Sequence, residues 1–309
     1  MSLIKNVGGL LLKPVIKQMS KSRLPELDGN IVLDGIQENI EIIRDEMGVP
    51  HIYASNLEDL MFAQGFVHAQ DRLWQMEIHR RAARGTLSEI LGEKAIETDQ
   101  ICRTMGYERV ARKDWELFSD EEQKVLIAYS SGINAFIKKF PNQHAVEFKL
   151  AKVEPALWDP IDTAAFSRLL ISQMTWGWYD EIIRAKLIEK VGAAAAGELD
   201  NNYPVGNPVA LPKGIEFNKL KLDEHLGALR GPYVPQIAGS NAWTVSGFKT
   251  TTGKPFLCND PHLPIKNPNI WYMVHLHCPE LEATGVSVPG VPLVQIGHNA
   301  NIGWGITLS

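Results

Sequence analysis

A serine that follows a glycine offers the most specific chemistry in this sequence. The stretch Gly239-Ser240-Asn241-Ala242-Trp243 joins the end of a proline-rich segment to a run that is typical of a β-strand. If the chain is cut before Ser240, the new first residue carries a hydroxyl nucleophile and an α-amino group that serves as its base. A free α-amino group titrates near ~7.7–8.0, so a usable fraction is neutral at neutral pH. The alternative, from the dipeptide alone, is an ordinary turn before a strand.

Two blocks far apart in the chain favour the catalytic interpretation. The first block comprises Gly48-Val49-Pro50-His51-Ile52 and the run AQGFVHAQDRLWQME at 63–77. The second comprises SNAW at 240–243, NDPHL at 259–263, PGVP at 289–292, GHN at 297–299 and WGIT at 304–307. In this order they resemble the starts of the α and β chains of the penicillin acylase (penicillin amidase) family of N-terminal-nucleophile hydrolases. The resemblance covers nearly all of the chain beyond about residue 35.

The resemblance implies an α+β fold that combines a mainly helical N-terminal region with the beginning of a four-layer αββα sandwich. It divides the chain into an α-chain region at 1–200, a spacer at 201–239 that processing removes, and the N-terminal part of a β chain at 240–309. The family's β chain is several times longer, and its second oxyanion donor, an asparagine, would follow residue 309. We therefore expect a truncated chain or fragment that stays uncut and hydrolyses substrate poorly or not at all.

The resemblance also assigns roles around the cut. Ser240 attacks the amide carbonyl and forms an acyl-enzyme, which water then hydrolyses. His262 orients groups or relays protons near Ser240, or it only hydrogen-bonds a loop. Asn241 positions the catalytic centre or the substrate, or it is a simple strand-start side chain. One oxyanion donor is the backbone N–H of Leu308, or that of Ser309 if the register differs by one residue.

Substrate and metal sites follow from the same resemblance. An acyl pocket is expected at Met174, Trp176, Trp178 and Leu263, although such an aromatic cluster is often ordinary core. The chemistry requires no cofactor, but several family members hold a structural calcium. Its ligand here would be Glu181, with Asp180 adjacent and a solvated helix-face carboxylate as the alternative.

A zinc site is a weaker hypothesis. His275-x-His277 places two imidazoles on one face of a strand, where Cys258 or Cys278 could join them. The sequence has no CxxC or HExxH motif to support it. It also lacks the G-x-S-x-G motif of α/β-hydrolases.

Local patterns indicate which elements carry these residues. A hairpin is expected from 39–44 and 49–53, and capping boxes at Ser55/Glu58 and Ser119/Glu122 predict two helix starts. A further helical stretch runs from 162 to about 191, and five prolines between 201 and 238 indicate a linker. Short β-type runs are expected at 243–245, 270–277, 293–296 and 302–308.

Composition limits the class of protein. With 45% hydrophobic and 22% charged residues the chain is ordinary for a globular protein, and its net charge of -5 argues against nucleic acid as a partner. Three cysteines are too few for a disulfide framework, although one pair could bridge. The apolar residues at 7–12 are flanked by lysines and fall short of a signal or membrane segment. Only the resemblance implies a periplasmic or extracellular enzyme.

Two functional classes follow. The first is a self-processing hydrolase of N-acyl compounds such as β-lactam side chains, acyl-homoserine lactones or acylated peptides, whose partners are a small-molecule substrate and the α and β chains of one precursor. The second is a catalytically silent relative or fragment that serves as a binding or folding module. The intact residues at 240–241 and 259–262 favour the first class.

Overall fold

The fold combines helices with two β-sheets. The computed structural model describes residues 14, 16–174, 177–199 and 239–307. The chain forms two compact units, of which the first contains Met1–Leu169 and Ile237–Ser309 and the second Leu170–Gln236. Its principal helices are α1 (Leu57–Arg84), α2 (Ser88–Leu91), α3 (Ile96–Met105), α4 (Tyr107–Leu117), α5 (Asp120–Lys139), α6 (Val146–Ala151), α7 (Pro160–Met174), α8 (Gly177–Val191) and α9 (Ala193–Glu198). The α+β class and the mainly helical N-terminal region are thereby confirmed.

The strands form a larger and a smaller sheet. They are β1 (Glu41–Arg44), β2 (Pro50–Tyr53), β3 (Gly239–Val245), β4 (Phe256–His262), β5 (Tyr272–Cys278), β6 (Leu281–Val288), β7 (Val291–His298) and β8 (Gly303–Trp304). The six-stranded sheet has the order β1-β2-β5-β6-β7-β8, and β3 pairs with β4 in a separate two-stranded sheet. Strands β2 and β5 are parallel, whereas the other pairs are antiparallel.

The starts of two helices test the capping boxes that the sequence predicts. Ser119 and Glu122 form the predicted capping box at the start of α5. The predicted box at Ser55 and Glu58 is wrong by one residue, because α1 is capped by Asn56. The Asn56 side chain accepts a hydrogen bond from the backbone N–H of Asp59 at 2.8 Å and donates one to its carboxylate at 2.8 Å. Asparagine satisfies an unpaired N-terminal amide as serine would, so the choice between neighbours depends on backbone geometry.

The core lies between helices α1 and α5 and the inner face of the larger sheet. It is formed by fully buried side chains on both helices and on the central strands, among them Ile52, Leu60, Ile133, Phe136 and Leu276. The helices touch backbone to backbone at two glycines. A methyl group added at Gly65 would overlap the carbonyl oxygen of Tyr129, and one added at Gly132 would overlap that of Phe62.

This contact gives the first prediction. Gly65→Ala or Gly132→Ala should lower the free energy of unfolding by about 1–3 kcal/mol, because the helices must separate to admit the methyl group. Gly197→Ala is the matched control, since Gly197 is also helical but has no atom within 4 Å of the added carbon. The control should be neutral or stabilising by up to about 1 kcal/mol. Urea unfolding of the three variants tests this, and equal effects at all three glycines would contradict it.

A buried chain of hydrogen bonds joins the helices to the sheet through His68. The Gly290 N–H donates to the Tyr129 hydroxyl at 2.9 Å, and that hydroxyl lies 2.7 Å from Nδ1 of His68. Nε2 of His68 lies 2.9 Å from the Ser287 hydroxyl, which donates to the Tyr272 carbonyl at 3.0 Å. Every donor in the chain is used if His68 is neutral with its proton on Nε2. Burial favours this neutral form and lowers the pKa of His68 to about 3.

The second prediction concerns acid stability. The unfolded chain protonates this histidine near its ordinary pKa of about 6.5, whereas the folded chain keeps it neutral down to pH about 3. Stability from His68 is therefore complete above pH 6.5 and falls by about 1.4 kcal/mol per pH unit below it. His68→Gln should be less stable at pH 7, and its deficit should shrink as the pH falls. Urea titrations of both proteins from pH 7 to pH 4.5 test this, and a constant deficit would refute it.

Two further structural findings concern the cysteines and the search for helices that could span a membrane. Cys102, Cys258 and Cys278 are all free, so the disulfide that the sequence left open does not form. Among the described helices, none combines the length and the apolar character that a membrane span requires.

Candidate active site

Ser240 is the second residue of β3, and the neighbouring strand β4 determines what faces it. The antiparallel register places Ser240 opposite Pro261 and Gly239 opposite His262. Side chains alternate along a strand, so Ser240 shares a face with Pro261, whereas His262 lies on the face of Gly239. The His262 ring nitrogen Nδ1 lies 3.7 Å from where a Cβ of Gly239 would be. His262 therefore lies beside the glycine half of the Gly239–Ser240 bond.

The acidic partner of His262 is on the same strand. Nε2 of His262 is 2.8 Å from a carboxylate oxygen of Asp260, and both side chains are well exposed. Asn241 lies opposite Asp260 on this face, and Leu263 follows the strand with its N–H donating to the Pro261 carbonyl at 3.1 Å. An exposed His–Asp pair is able to exchange protons with solvent next to Gly239.

The hydroxyl of Ser240 is held by a residue that the sequence analysis did not single out. Oγ of Ser240 donates a hydrogen bond to Oγ1 of Thr307 at 3.0 Å. Oγ1 of Thr307 donates in turn to the carbonyl oxygen of Ser240 at 2.8 Å. The two bonds fix the serine side chain relative to its own backbone. Thr307 belongs to the WGIT motif, but no spacing in the sequence connects it with Ser240.

Asn259 ties the two strands to the segment after β8. Its Nδ2 donates to the carbonyl oxygens of Asn241 and Ile306, each at 3.0 Å, and its Oδ1 accepts from the N–H of Ile306 at 3.0 Å. A side chain at Gly305 would collide with Asn259, since an added carbon would lie 2.8–2.9 Å from its amide group. Asparagine supplies both a donor and an acceptor on one side chain, which this bridge requires.

The larger sheet fixes the other end of this bridge. Strand β8 pairs with β7 through Gly297 opposite Trp304, and the Trp304 indole donates to the Val294 carbonyl at 3.2 Å. Residues 305–307 follow directly and reach Asn259 and Ser240. The position of the Ser240 hydroxyl thus depends on the larger sheet as well as on its own strand.

The remaining predicted site residues divide into described and undescribed ones. Met174 ends α7 in the second unit and is half-exposed, and Glu181 is an exposed residue of α8. Trp176, Leu308 and Ser309 lie outside the described residues, as does the side chain of Trp178.

The two predicted metal sites were compared with the positions of the described side chains. Among the residues whose side chains are described, no group of three or more His, Cys, Asp or Glu side chains is placed to hold a metal ion. The zinc hypothesis of His275 and His277 with a cysteine is therefore not supported. Calcium at Glu181 stays a prediction from the resemblance.

A strand-borne serine that is fixed by a distant hydroxyl and bordered by a His–Asp pair is suited to a hydrolase with a hydroxyl nucleophile. The chain matches the family model described as penicillin amidase over residues 39–309, and it belongs to that family.

Named relatives agree with this assignment. The penicillin acylase 2 proenzyme of Pseudomonas sp. (strain SE83) is 35% identical over 94% of this chain and 39% of that protein. The acyl-homoserine lactone acylase QuiP of Pseudomonas aeruginosa is 30% identical over 92% of this chain and 35% of its own length. Penicillin G acylase of Escherichia coli is 26% identical over 87% of this chain and 38% of its own length. The chain thus spans 35–39% of the length of these relatives.

The third prediction tests the Asn259 bridge. Asn259→Ala should speed hydrogen exchange at the Ile306 amide by about tenfold, because that amide loses its acceptor and two further bonds go with it. Asn299→Ala is the matched control, since Asn299 accepts from the N–H groups of Asn301 and Ile302 at 2.8 Å. The control should expose Ile302 and leave Ile306 protected. Exchange followed by NMR or mass spectrometry measures both, and unchanged protection of Ile306 in Asn259→Ala would refute the bridge.

Proposed function

We propose that this chain is the N-terminal part of a self-processing acylase that hydrolyses the amide bond of N-acyl compounds, with Ser240 as its N-terminal nucleophile. The observation that carries the proposal is the pair of hydrogen bonds between Ser240 and Thr307. A serine that only ended a turn would have no need of a partner 67 residues away. Membership in the penicillin amidase family supports the same conclusion.

The proposed cleavage uses the serine on its own peptide bond. Oγ of Ser240 attacks the carbonyl carbon of Gly239, and its proton passes to the amide nitrogen as the C–N bond breaks. The product is an ester between Gly239 and the serine oxygen, with a free α-amino group on Ser240. Water then hydrolyses the ester, which leaves a Gly239 carboxylate and the serine hydroxyl. His262 lies opposite Gly239 and is paired with Asp260, and in this proposal it exchanges protons with the leaving groups.

After cleavage the same oxygen acts on substrate. The freed amino group of Ser240 accepts the hydroxyl proton, and the oxygen attacks the acyl carbonyl of an N-acyl compound. The amine departs with a proton, an acyl-enzyme remains, and water releases the acid. Thr307 keeps the hydroxyl oriented, and an N–H of the segment that follows it would stabilise the oxyanion.

The relatives indicate a class of substrate rather than one particular compound. The relatives' names include two penicillin acylases and an acyl-homoserine lactone acylase, which share an N-acyl amide as the bond to be cut. We extend that shared bond to the protein from which this chain comes. The acyl group of the substrate is of the penicillin side-chain type or, as the second candidate, that of an acyl-homoserine lactone.

The fourth prediction is the processing pattern of the full-length protein. Intact mass and N-terminal sequencing should show two chains in the wild type, one of them beginning at Ser240. Ser240→Ala should yield one uncut, inactive chain, because the nucleophile is missing. Ser246→Ala is the matched control, since Ser246 is also a serine next to a glycine and directly follows β3, and it should be processed like the wild type. An uncut and inactive wild type would contradict the proposal and indicate a silent relative.

A further inference from the structure

A group of histidines lies on the face of the larger sheet that is opposite to helices α1 and α5. Parallel strands β2 and β5 place His51 beside His275 and Tyr53 beside His277. Along both strands these residues alternate with buried ones such as Ile52 and Leu276, so the four side chains share the solvent side. The His51 side chain is 32% exposed, which leaves the pair open to small solutes.

The two neighbouring imidazoles face each other through the same type of nitrogen. Nδ1 of His51 is 3.1 Å from Nδ1 of His275, and the ring planes meet at 74°. Without a bound ion, one of the two nitrogens must carry a proton and donate it to the other. Two lone pairs that converge at this distance are also the arrangement in which one metal ion replaces that proton.

An acidic residue lies near His51 on the opposite side of its ring. Nε2 of His51 is 3.6 Å from Oδ2 of Asp45. The other oxygen of Asp45 accepts from the N–H groups of Met47 and Val49, each at 2.9 Å, and this fixes the carboxylate. A carboxylate at Nε2 favours the proton there and leaves Nδ1 with its lone pair. Ligand histidines in metalloproteins have such a carboxylate behind the ring.

We propose that His51 and His275 form a two-histidine site for a divalent transition-metal ion, with Nδ1 of each as ligand. Metal–imidazole bonds of about 2.0–2.1 Å at angles between square-planar and tetrahedral separate the two nitrogens by about 2.9–3.4 Å. The observed 3.1 Å falls in this interval. Binding requires the donating ring to change tautomer, so that its proton moves through solvent from Nδ1 to Nε2 and both imidazoles stay neutral. Water or an external ligand fills the remaining positions.

Imidazole ligands determine which ions bind. The site should prefer Cu²⁺ to Ni²⁺ and Zn²⁺ and should not bind Mg²⁺ or Ca²⁺, which take oxygen ligands. His277 lies farther from the pair and next to an acidic residue. Its Nδ1 lies 3.6 Å from Glu282, and its ring centroid is 6.4 Å from that of His275. This site is independent of the acylase proposal, because it uses neither Ser240 nor its neighbours.

The fifth prediction uses Cu²⁺ alone as the probe on the 309-residue chain. Titration followed by electron paramagnetic resonance should show one ion per chain at the strongest site, with two imidazole nitrogens coupled to it. His51→Gln and His275→Gln should each weaken this binding by about tenfold or more. His277→Gln is the matched control, since it removes an exposed histidine on the same face two residues from a ligand, and it should bind like the wild type.

A second measurement separates ligation from folding. Circular dichroism should show each variant folded, and Cu²⁺ should raise the thermal midpoint of the wild type and of His277→Gln but not of the two ligand variants. Asp45→Asn should fold and lose about tenfold in affinity, because it weakens the orientation of His51. Absence of binding in the wild type, or equal binding in all variants, would overturn the proposal and leave His51 and His275 as a hydrogen-bonded pair only.

Discussion

The contact between helices α1 and α5 is the constraint on which the rest of the first unit depends. Gly65 and Gly132 let the two backbones approach until only hydrogen atoms separate them. At that separation Tyr129 reaches His68, and through His68 the helices are bonded to Ser287 on the sheet. Larger residues at the glycines would still allow two amphipathic helices, but they would displace the tyrosine from its partner. The close packing at the two glycines thus determines whether the hydrogen bond between Tyr129 and His68 can form.

From this core a series of contacts leads outward to Ser240. Strands β5, β6 and β7 follow one another in the larger sheet, and β8 is its last strand. The segment beyond β8 then meets Asn259 and Ser240. The smaller sheet alone cannot orient the serine hydroxyl, because its hydroxyl partner belongs to that segment. The site is therefore defined by tertiary structure although its serine lies in a short local motif.

The sequence predicted elements where the signal was local and periodic. The β1–β2 hairpin and the Ser119 capping box were confirmed, since turn residues and cap residues act over a few positions. Strand β4 was not predicted, because polar residues and Pro261 occupy half of it and it is held by pairing with β3. Strand β6 was also missed, and within 302–307, the described part of the run expected at 302–308, only Gly303–Trp304 is a strand. The contacts of Asn259 and of His51 with His275 depend on register, which spacing along the chain does not reveal.

The bond between Ser240 and Thr307 also bears on the time at which Ser240 could first react under the proposed mechanism. Its partners are 67 residues apart, and contacts of long sequence separation form late in folding. At a synthesis rate of about 5–20 residues per second, the serine leaves the ribosome roughly 3–13 seconds before the threonine. During that interval the hydroxyl has no partner to align it. Under the proposed mechanism, the nascent chain would therefore be protected from premature reaction at this serine until the sheet that brings the threonine has been made.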